Sequence, residues 1–570
     1  MKPLRYAAAL AVLASVLALG LAQDKAPESA EKKSPLAPNI DSITLQDIKR
    51  DVHFLAGDEM RGRETLSAEA RVTTGYVRTR MEQAGVKPGA ANGIWYQDVG
   101  FRYRAWEKKP ALSIKVGEEV TALEYEKDFV SATGAGATTD LKEVPVVFAG
   151  YAIRDRQQEY DDITGLDLKG KFAIVLRFAP SGWSREGRRS PFIRGGSIFN
   201  KQRQCREAGA LGILMVTGPA SLGGTDTDRN LPSPSNAEKS PPLELALGDP
   251  RESTRLPFFH LTESSVDRML GGEGKLKALQ EEFDKKEFGG RPDLKDVRVN
   301  LSMQTKVFSD TCRNVIGRID GELDEWIVIG AHHDHLGLGY FGSRDNPRNH
   351  GQVHNGADDN ATGVAAVLEV AEAIAQSGRK PRRGFLFMTF TGEEKGLLGA
   401  RWYVQHPVVA NEKVVTMLNI DMIGRAVEKK MQIIGTASSK LLDRVCKEAA
   451  PTFPELTFTY STRLPLGGSD HAPFFGTAGI PALFFHSGLN ELYHTSLDDP
   501  ETINFEDMVP AIKMLYEVAW RVSEDPAIPD YIGPVRNSVG PDGKPRTPPA
   551  PKEPDKTPEK KDDEFKVGAR

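Results

Sequence analysis

Six side chains carry the chemistry this sequence could do. His332, Asp358, Glu394, Asp421 and His494 are of types that bind metal ions, and Glu393 is of a type that moves protons. Two imidazoles and three carboxylates are too few oxygens for a calcium site. They also lack the thiolates of a structural zinc site. The set suits two zinc-like ions that share one carboxylate, each also holding one His and one terminal acid. Such ions sit about 3.5–4 Å apart, acidify a shared water and polarise a carbonyl. Glu393, next to the ligand-type Glu394, is left free to act as a general base.

The elements that must position these residues are legible around them. Trp326 to Ile329 is a continuous apolar run with β-branched residues, the pattern of a strand buried on both faces, and it leads to His332. Phe385 to Phe390 is a second such run and leads to Thr391-Gly392-Glu393-Glu394. Between them Val364 to Ala375 has apolar residues at helical spacing, with Asp358 to Thr362 just before it, where short polar residues cap. Strand, loop, helix and strand predict a βαβ unit in a parallel sheet. Val414 to Ile420 ends in Asp421, and Ile480 to Phe485 runs into a loop reaching Tyr493-His494. Open α/β sheets bind ligands beyond the carboxyl ends of their strands. Four strand exits delivering acids and imidazoles to that edge predict a site there, because unpaired buried charge has no use in a core.

GAHHDH, GADDNATG, TGEEKGLLGA, LNIDMIG and YHTSLDD occur in that order, and together they resemble metallopeptidase family 28, the secreted co-catalytic zinc aminopeptidases. The resemblance runs over about residues 40 to 525 and takes in the GRETLSAEA stretch. It implies a zinc-exopeptidase fold, an α/β architecture with a mixed, mostly parallel sheet flanked by helices, and a smaller inserted β-rich α/β domain. It also implies roles: His332 and Asp421 on one ion, Glu394 and His494 on the other, Asp358 bridging and Glu393 as base. Asp334 would orient the His332 ring, and the Asp358–Asp359 peptide would be cis, placing Asp359 beside the metals rather than on them. Cofactors would be two zinc ions, with cobalt or manganese as substitutes. Substrates would be peptides with a free amino terminus. His333 and His335 share the first motif but are not expected as ligands. Asp470 and His471 match a Ser-Asp-His segment near the cleft, with a supporting and a purely structural role both open. His350 and His354 lie on a loop by the cleft or solvent, His486 is a strand-end core residue, and His53, His260 and His406 are background. Competing readings are a carboxypeptidase of related fold, which would need arginines such as Arg344, Arg348, Arg425 or Arg463 to clamp a carboxylate, a one-zinc glutaminyl cyclase, and an inactive receptor-like ectodomain.

The chain's 570 residues suggest more than one domain. A basic start (Lys2, Arg5), an apolar core from Tyr6 to Leu19 and small residues at 20–22 read as a signal peptide over 1–22, giving an exported, periplasmic or extracellular protein. Residues 23–39 read as a disordered linker and 537–570 as a disordered tail, both rich in Pro and charge. Composition shifts near residue 134, where Gly and Ala mark a joint. Short apolar runs at 144–149, 172–178 and 212–216 then predict a compact insert over 134–262 that resembles a protease-associated domain. The catalytic domain is thus expected over 40–133 and 263–525. A net charge of −5 does not point to nucleic acid. No apolar stretch after the first residues could span a membrane. Cys205, Cys312 and Cys446 give neither a disulfide framework nor a CxxC metal site.

Overall fold

The computed structural model describes residues 36–131, 138–155, 158–180, 196–219, 239–247, 256–285, 289–345, 351–534, 538–539 and 545–546. The expected signal peptide, nearly all of the linker and tail, the joint at 134–137, His350 and Arg348 lie outside the described residues. The account below concerns Pro38 onward, a single unit by its internal contacts.

Leu323–His332 is the pivot. It pairs in parallel with Arg383–Phe390 on one side and with Val414–Ile420 on the other, and Val414–Ile420 pairs in parallel with Ala482–His486. The chain leaves 323–332 for one neighbour and later returns to the other, so the carboxyl end of this strand is a switch point of the sheet. Every residue of Arg383–Phe390 and Val414–Ile420 is buried, as their unbroken apolar runs require. Helix Thr362–Ala375 packs on the sheet, with nearly its whole surface buried. Leu45–Leu55, capped by Thr44, and Ala68–Gln83, capped by Ser67 and closed by Gly85 at positive φ, are helices. Lys440–Ala449 and Phe505–Glu524 are the late helices. Lys430–Ile434 runs antiparallel to Ala482–His486 and extends the sheet to Thr457–Ser461. No helix among the described residues is long and apolar enough to cross a membrane.

Two strands are unusually long. Val297–Ile319, whose apolar runs at 297–303 and 315–319 are its two ends, pairs antiparallel with Tyr96–Val116 along nearly its whole length. Its middle, from Lys306 to Thr311, is half-buried to exposed, so no apolar run marks the continuity. One end of this ribbon joins Arg383–Phe390, and the other joins Thr139–Phe148. Beyond it Phe172–Leu176, Gly212–Val216 and Phe258–Leu261 pair in parallel, forming a second region of sheet. The core of that lobe reaches outside 134–262. It includes Leu112, Ile114 and Phe129 before that span, and Val266, Leu276, Phe283 and Val297 to Met303 after it. A ribbon that belongs to two cores carries no composition break where one core gives way to the other. Cys205, Cys312 and Cys446 are free and buried.

Candidate functional site

The four adjacent parallel strand ends bring His332, Glu394, Asp421 and His494 together, and the structure adds Asp359 and His335. His332 Nε2 lies 3.1 Å from Asp359 Oδ1 and 3.4 Å from Asp421 Oδ1. His494 Nε2 lies 3.2 Å from Asp359 Oδ2 and 3.1 Å from Glu394 Oε2. His335 Nδ1 is 2.9 Å from Glu394 Oε1. Two groups able to hold an ion result, His332–Asp359–Asp421 and His335–Asp359–Glu394, with His494 beside the second.

The shared carboxylate is therefore Asp359, and the expectation of Asp358 is corrected. Asp358 turns away from the imidazoles. Its Oδ1 accepts the Gly424 N–H at 2.8 Å and its Oδ2 accepts from Asn490 at 3.2 Å, with Arg425 3.7 Å away. Two adjacent acids have opposite fates because the backbone between them is not helical: Asp359 and Asn360 have non-helical φ/ψ inside a wide turn, Ala357–Ala361. The residue at the helix boundary, Ala361, makes no side-chain cap, but Asn360 Oδ1 accepts the Gly363 N–H at 2.9 Å in the first turn, so a short polar residue of this segment caps the helix as the sequence suggested. The cis peptide is Asp359–Asn360, one residue later than expected. Asp498 holds the turn from behind, accepting the N–H groups of Asp358 and Asp359 at 2.9 and 3.0 Å. Gly356 precedes it at φ +63°, where a Cβ would run into the His335 ring and the Asp359 carbonyl.

The imidazoles are aimed by their second nitrogens. His332 Nδ1 donates to the Asp334 carbonyl at 3.0 Å, and His494 Nδ1 donates to the Gly342 carbonyl at 3.0 Å. Each ring so fixed presents a bare Nε2 to the acids. The Asp334 carboxylate, expected to orient the His332 ring, stands 3.9 Å from its Nδ1, and the Asp334 carbonyl takes that place. That carboxylate accepts from Thr65 at 2.7 Å and from the Glu393 N–H at 3.1 Å. Arg63, 1% exposed, links the GRET loop to the two ends of the connection that leaves strand Leu323–His332 through the carbonyls of His333, Asn355 and Gly356, and also bonds Leu55.

Glu393 and Glu394 diverge because the strand has already ended at Phe390. Gly392 takes φ +70°, and the Glu393 carbonyl accepts from Gly396 and Leu397 in a tight turn. Glu394 faces the imidazoles. Burial opposes its charge, but His494 prevails and holds the carboxyl at about 2. Burial, partly opposed by His332 and reinforced by Glu394, Asp470 and Asp421, raises Glu393 well above the usual range. One acid is thereby kept ionised and its neighbour kept ready to carry a proton.

The residues fit divalent cations. His332 Nε2, both ring nitrogens of His335, Glu394 Oε1 and Asp421 Oδ1 are buried without a hydrogen bond. Such atoms are costly unless a cation takes them. Burial works against charged His332 and His494, yet the acids around them raise both well above the ordinary imidazole value.

Other residues fall into place. His333 turns to Thr389, 3.1 Å away, and His354 is engaged by Ser343 and Gln352. His486 donates to the Asp421 carbonyl at 2.8 Å. Asp470 is buried with neither oxygen bonded, within the field of His332 and Asp334, and His471 stacks on Phe484. Tyr493 was not singled out by sequence reasoning. Its ring stacks on His494, and burial plus the charges of Asp359, Glu394, Glu393 and Asp421 keep its phenol neutral. Only its place before a ligand-type His could have flagged it. His335 could have been found by noting that its ring lies three residues past His332, beyond the strand, where alternation no longer applies.

Residues 314–519 match the model of peptidase family M28. Over this stretch the chain is similar to the peptidases of family M28. The chain is 24% identical over 411 residues to a glutamate carboxypeptidase 2 homolog of Caenorhabditis briggsae, covering 60% of this chain and 48% of the relative. It is 28% identical over 213 residues to a probable leucine aminopeptidase of Arthroderma otae, covering 36% and 56%. The chain thus spans about half the length of these curated relatives. In structure it is similar to the aminopeptidase from Aneurinibacillus sp. strain AM-1, with a TM-score of 0.51 at 18% identity, covering 87% of this chain and 98% of that one. At that identity the likeness is one of fold. The matched stretch begins inside the long 297–319 strand and ends inside the last long helix, so it contains every strand exit described above.

Proposed function

We propose that this chain is an exported exopeptidase that removes amino-terminal residues from peptides with two zinc ions. One observation carries the reading: the two oxygens of Asp359 face separate imidazoles, each paired with its own carboxylate. His332, Asp359 and Asp421 would hold one ion, and Asp359, Glu394 and His494 the other. His494 is preferred to His335 because its Nε2 reaches both carboxylates while its Nδ1 is already committed. Zinc in such a pair acidifies water and polarises a carbonyl.

The protein's own part is proton handling and orientation. Glu393 takes the proton of the attacking water and passes it to the leaving amine. Its backbone is fixed by Asp334, so the carboxyl is presented from one direction. The neutral Tyr493 phenol is a hydrogen-bond donor at the rim. Arg425, a candidate for clamping a substrate carboxylate, is engaged by Asp498 at 2.8 Å. The basic, apolar and small-residue stretches of the first 22 residues support export. The inserted lobe, in its resemblance to a protease-associated domain, would restrict entry to short or unstructured peptides.

The test is a panel of aminoacyl amides, amino-blocked peptides and carboxyl-terminal substrates, run alongside elemental analysis. Expected are two zinc ions per chain, cleavage of free-amine substrates, loss of activity with a chelator and recovery with zinc. Full activity with a single tightly bound ion, or cleavage confined to carboxyl-terminal bonds, would overturn the reading.

A further inference from the structure

Among the described residues, the inserted lobe reaches the matched peptidase stretch's chemistry through the segment 239–245. Glu244–Leu245 adds as an antiparallel strand to Phe101–Arg102, and Glu244 pairs with Arg104 at 3.0 Å. Leu243 is buried against Ala70, Phe101 and Leu398, outside the lobe's own core. Just before them Ser240 is 1% exposed, although a serine has no apolar surface to bury. Its hydroxyl donates to Glu64 Oε1. Lys395 Nζ donates to that same oxygen at 2.8 Å and to Ser240 Oγ at 2.6 Å, and lies 4.4 Å from the centre of the Phe341 ring. The Lys395 side chain is 3% exposed.

A buried ammonium survives only with a carboxylate and with its remaining N–H groups engaged. Here Glu64 supplies the charge, Ser240 a second acceptor and Phe341 an aromatic face. The location gives the cluster its meaning. Lys395 directly follows Glu394, in the turn whose first N–H is held by Asp334. The Glu64 backbone bridges His335, whose ring faces Glu394. Three loops that frame the glutamates therefore converge on one buried hydroxyl that the matched peptidase stretch does not itself contain.

Building on the exopeptidase reading, we propose that Ser240 is a positioning residue for the Glu393–Glu394 turn: it completes the seat of Lys395 and so makes the inserted lobe part of the active site. Without its hydroxyl, one Lys395 N–H loses its acceptor and the turn gains freedom next to both glutamates. A shift on the order of 1 Å at a reacting group costs about 10²-fold, and lost support for a metal ligand costs about 10–100-fold in affinity.

The experiment compares full-length zinc-loaded wild type, Ser240→Ala, Ser240→Thr and Glu64→Gln. Ser240→Ala should lower kcat at least about 10-fold with KM within about twofold, and weaken one zinc site in a chelator competition by about 10-fold. Ser240→Thr, which keeps the hydroxyl, should recover most of both, and Glu64→Gln should reproduce the loss if Ser240→Ala folds poorly. In the Lys395→Met background Ser240→Ala should add nothing further. If the cluster only fastens the lobe, melting temperature falls or KM rises while kcat and zinc affinity hold, and the proposal is overturned. Zinc competition reads the proposal even if wild type cleaves no peptide, an outcome that would instead remove the exopeptidase reading.

Discussion

Asp359 stands between two imidazoles with one oxygen for each: Oδ1 is 3.1 Å from His332 and Oδ2 is 3.2 Å from His494. Asp358, one residue earlier, faces Gly424, Asn490 and Arg425 instead. The two acids should part company on substitution. Asp359→Asn is expected to reduce bound zinc below two per chain and abolish turnover. Asp358→Asn should retain both ions and lose no more than the roughly 10–100-fold typical of outer partners. Metal counts on the two purified variants decide the point, and loss of zinc from Asp358→Asn alone would return the bridge to Asp358.

Glu393 and Glu394 are neighbours with opposed environments, one raised well above the carboxyl range and one held at about 2. Glu393→Ala should keep both ions and the fold while turnover falls by about 10²–10⁴. Glu394→Ala should lose an ion. Glu393→Asp, with shorter reach, should recover part of the rate. Turnover and metal content for all three variants would falsify the assignment if Glu393→Ala proved to be the metal-deficient one.

His494 and His335 both face Glu394, at 3.1 and 2.9 Å. Only His494 also reaches Asp359, at 3.2 Å; the closest approach of His335 to Asp359 is 3.9 Å. Cobalt substitution followed by absorption spectroscopy should show the second ion weakened or absent in His494→Ala and present in His335→Ala. The reverse pattern would give His335 the ligand role.

Arg63 is almost wholly buried and satisfies four carbonyls from three separate segments. Burial brings its guanidinium down to about 10, still charged at neutral pH. A lysine there has one point of donation where arginine has a fork. Arg63→Lys should destabilise the protein by about 3 kcal/mol, the scale of one or two lost charged hydrogen bonds. Denaturant unfolding of metal-free protein measures this, and a change below about 0.5 kcal/mol would show the bonds to be dispensable.

His260 lies in the inserted lobe, bonded to Thr217 at 3.0 Å, and burial with help from Arg177 lowers it to about 3 from a usual 6.5. The folded state keeps it neutral while the unfolded chain protonates it below 6.5. Its contribution is therefore complete above pH 6.5 and is lost as pH falls from 6.5 toward 3. Each pH unit in that window should cost wild type up to about 1.4 kcal/mol more than His260→Gln. Unfolding free energies of both proteins at pH 7.5, 5.5 and 4.5 (about one unit apart in the window) test it. Parallel pH curves would mean that His260 is solvated.

Much of this molecule was readable before any coordinates. Apolar runs at 326–329, 385–390 and 414–420 placed three buried strands, and helical spacing placed the helix at 364–375, because period and burial are local properties of the chain. That acids and imidazoles follow those strands located the site at one sheet edge. Composition could not delimit the inserted lobe, since the strands at 96–116 and 297–319 serve two cores without changing character midway.

What the sequence determined by itself was the edge, the residue types gathered there and the chemistry they permit. Which of two adjacent aspartates faces inward, whether His335 enters, and that Ser240 arrives from another lobe were settled only by tertiary structure. Asp358 and Asp359 differ by the local turn that Asp498 and Asn360 impose. Ser240 is 155 residues from Lys395 in the chain. Spacing in sequence fixes direction only inside a regular strand or helix, and all three decisions fall in loops, where direction is set by whatever the loop packs against.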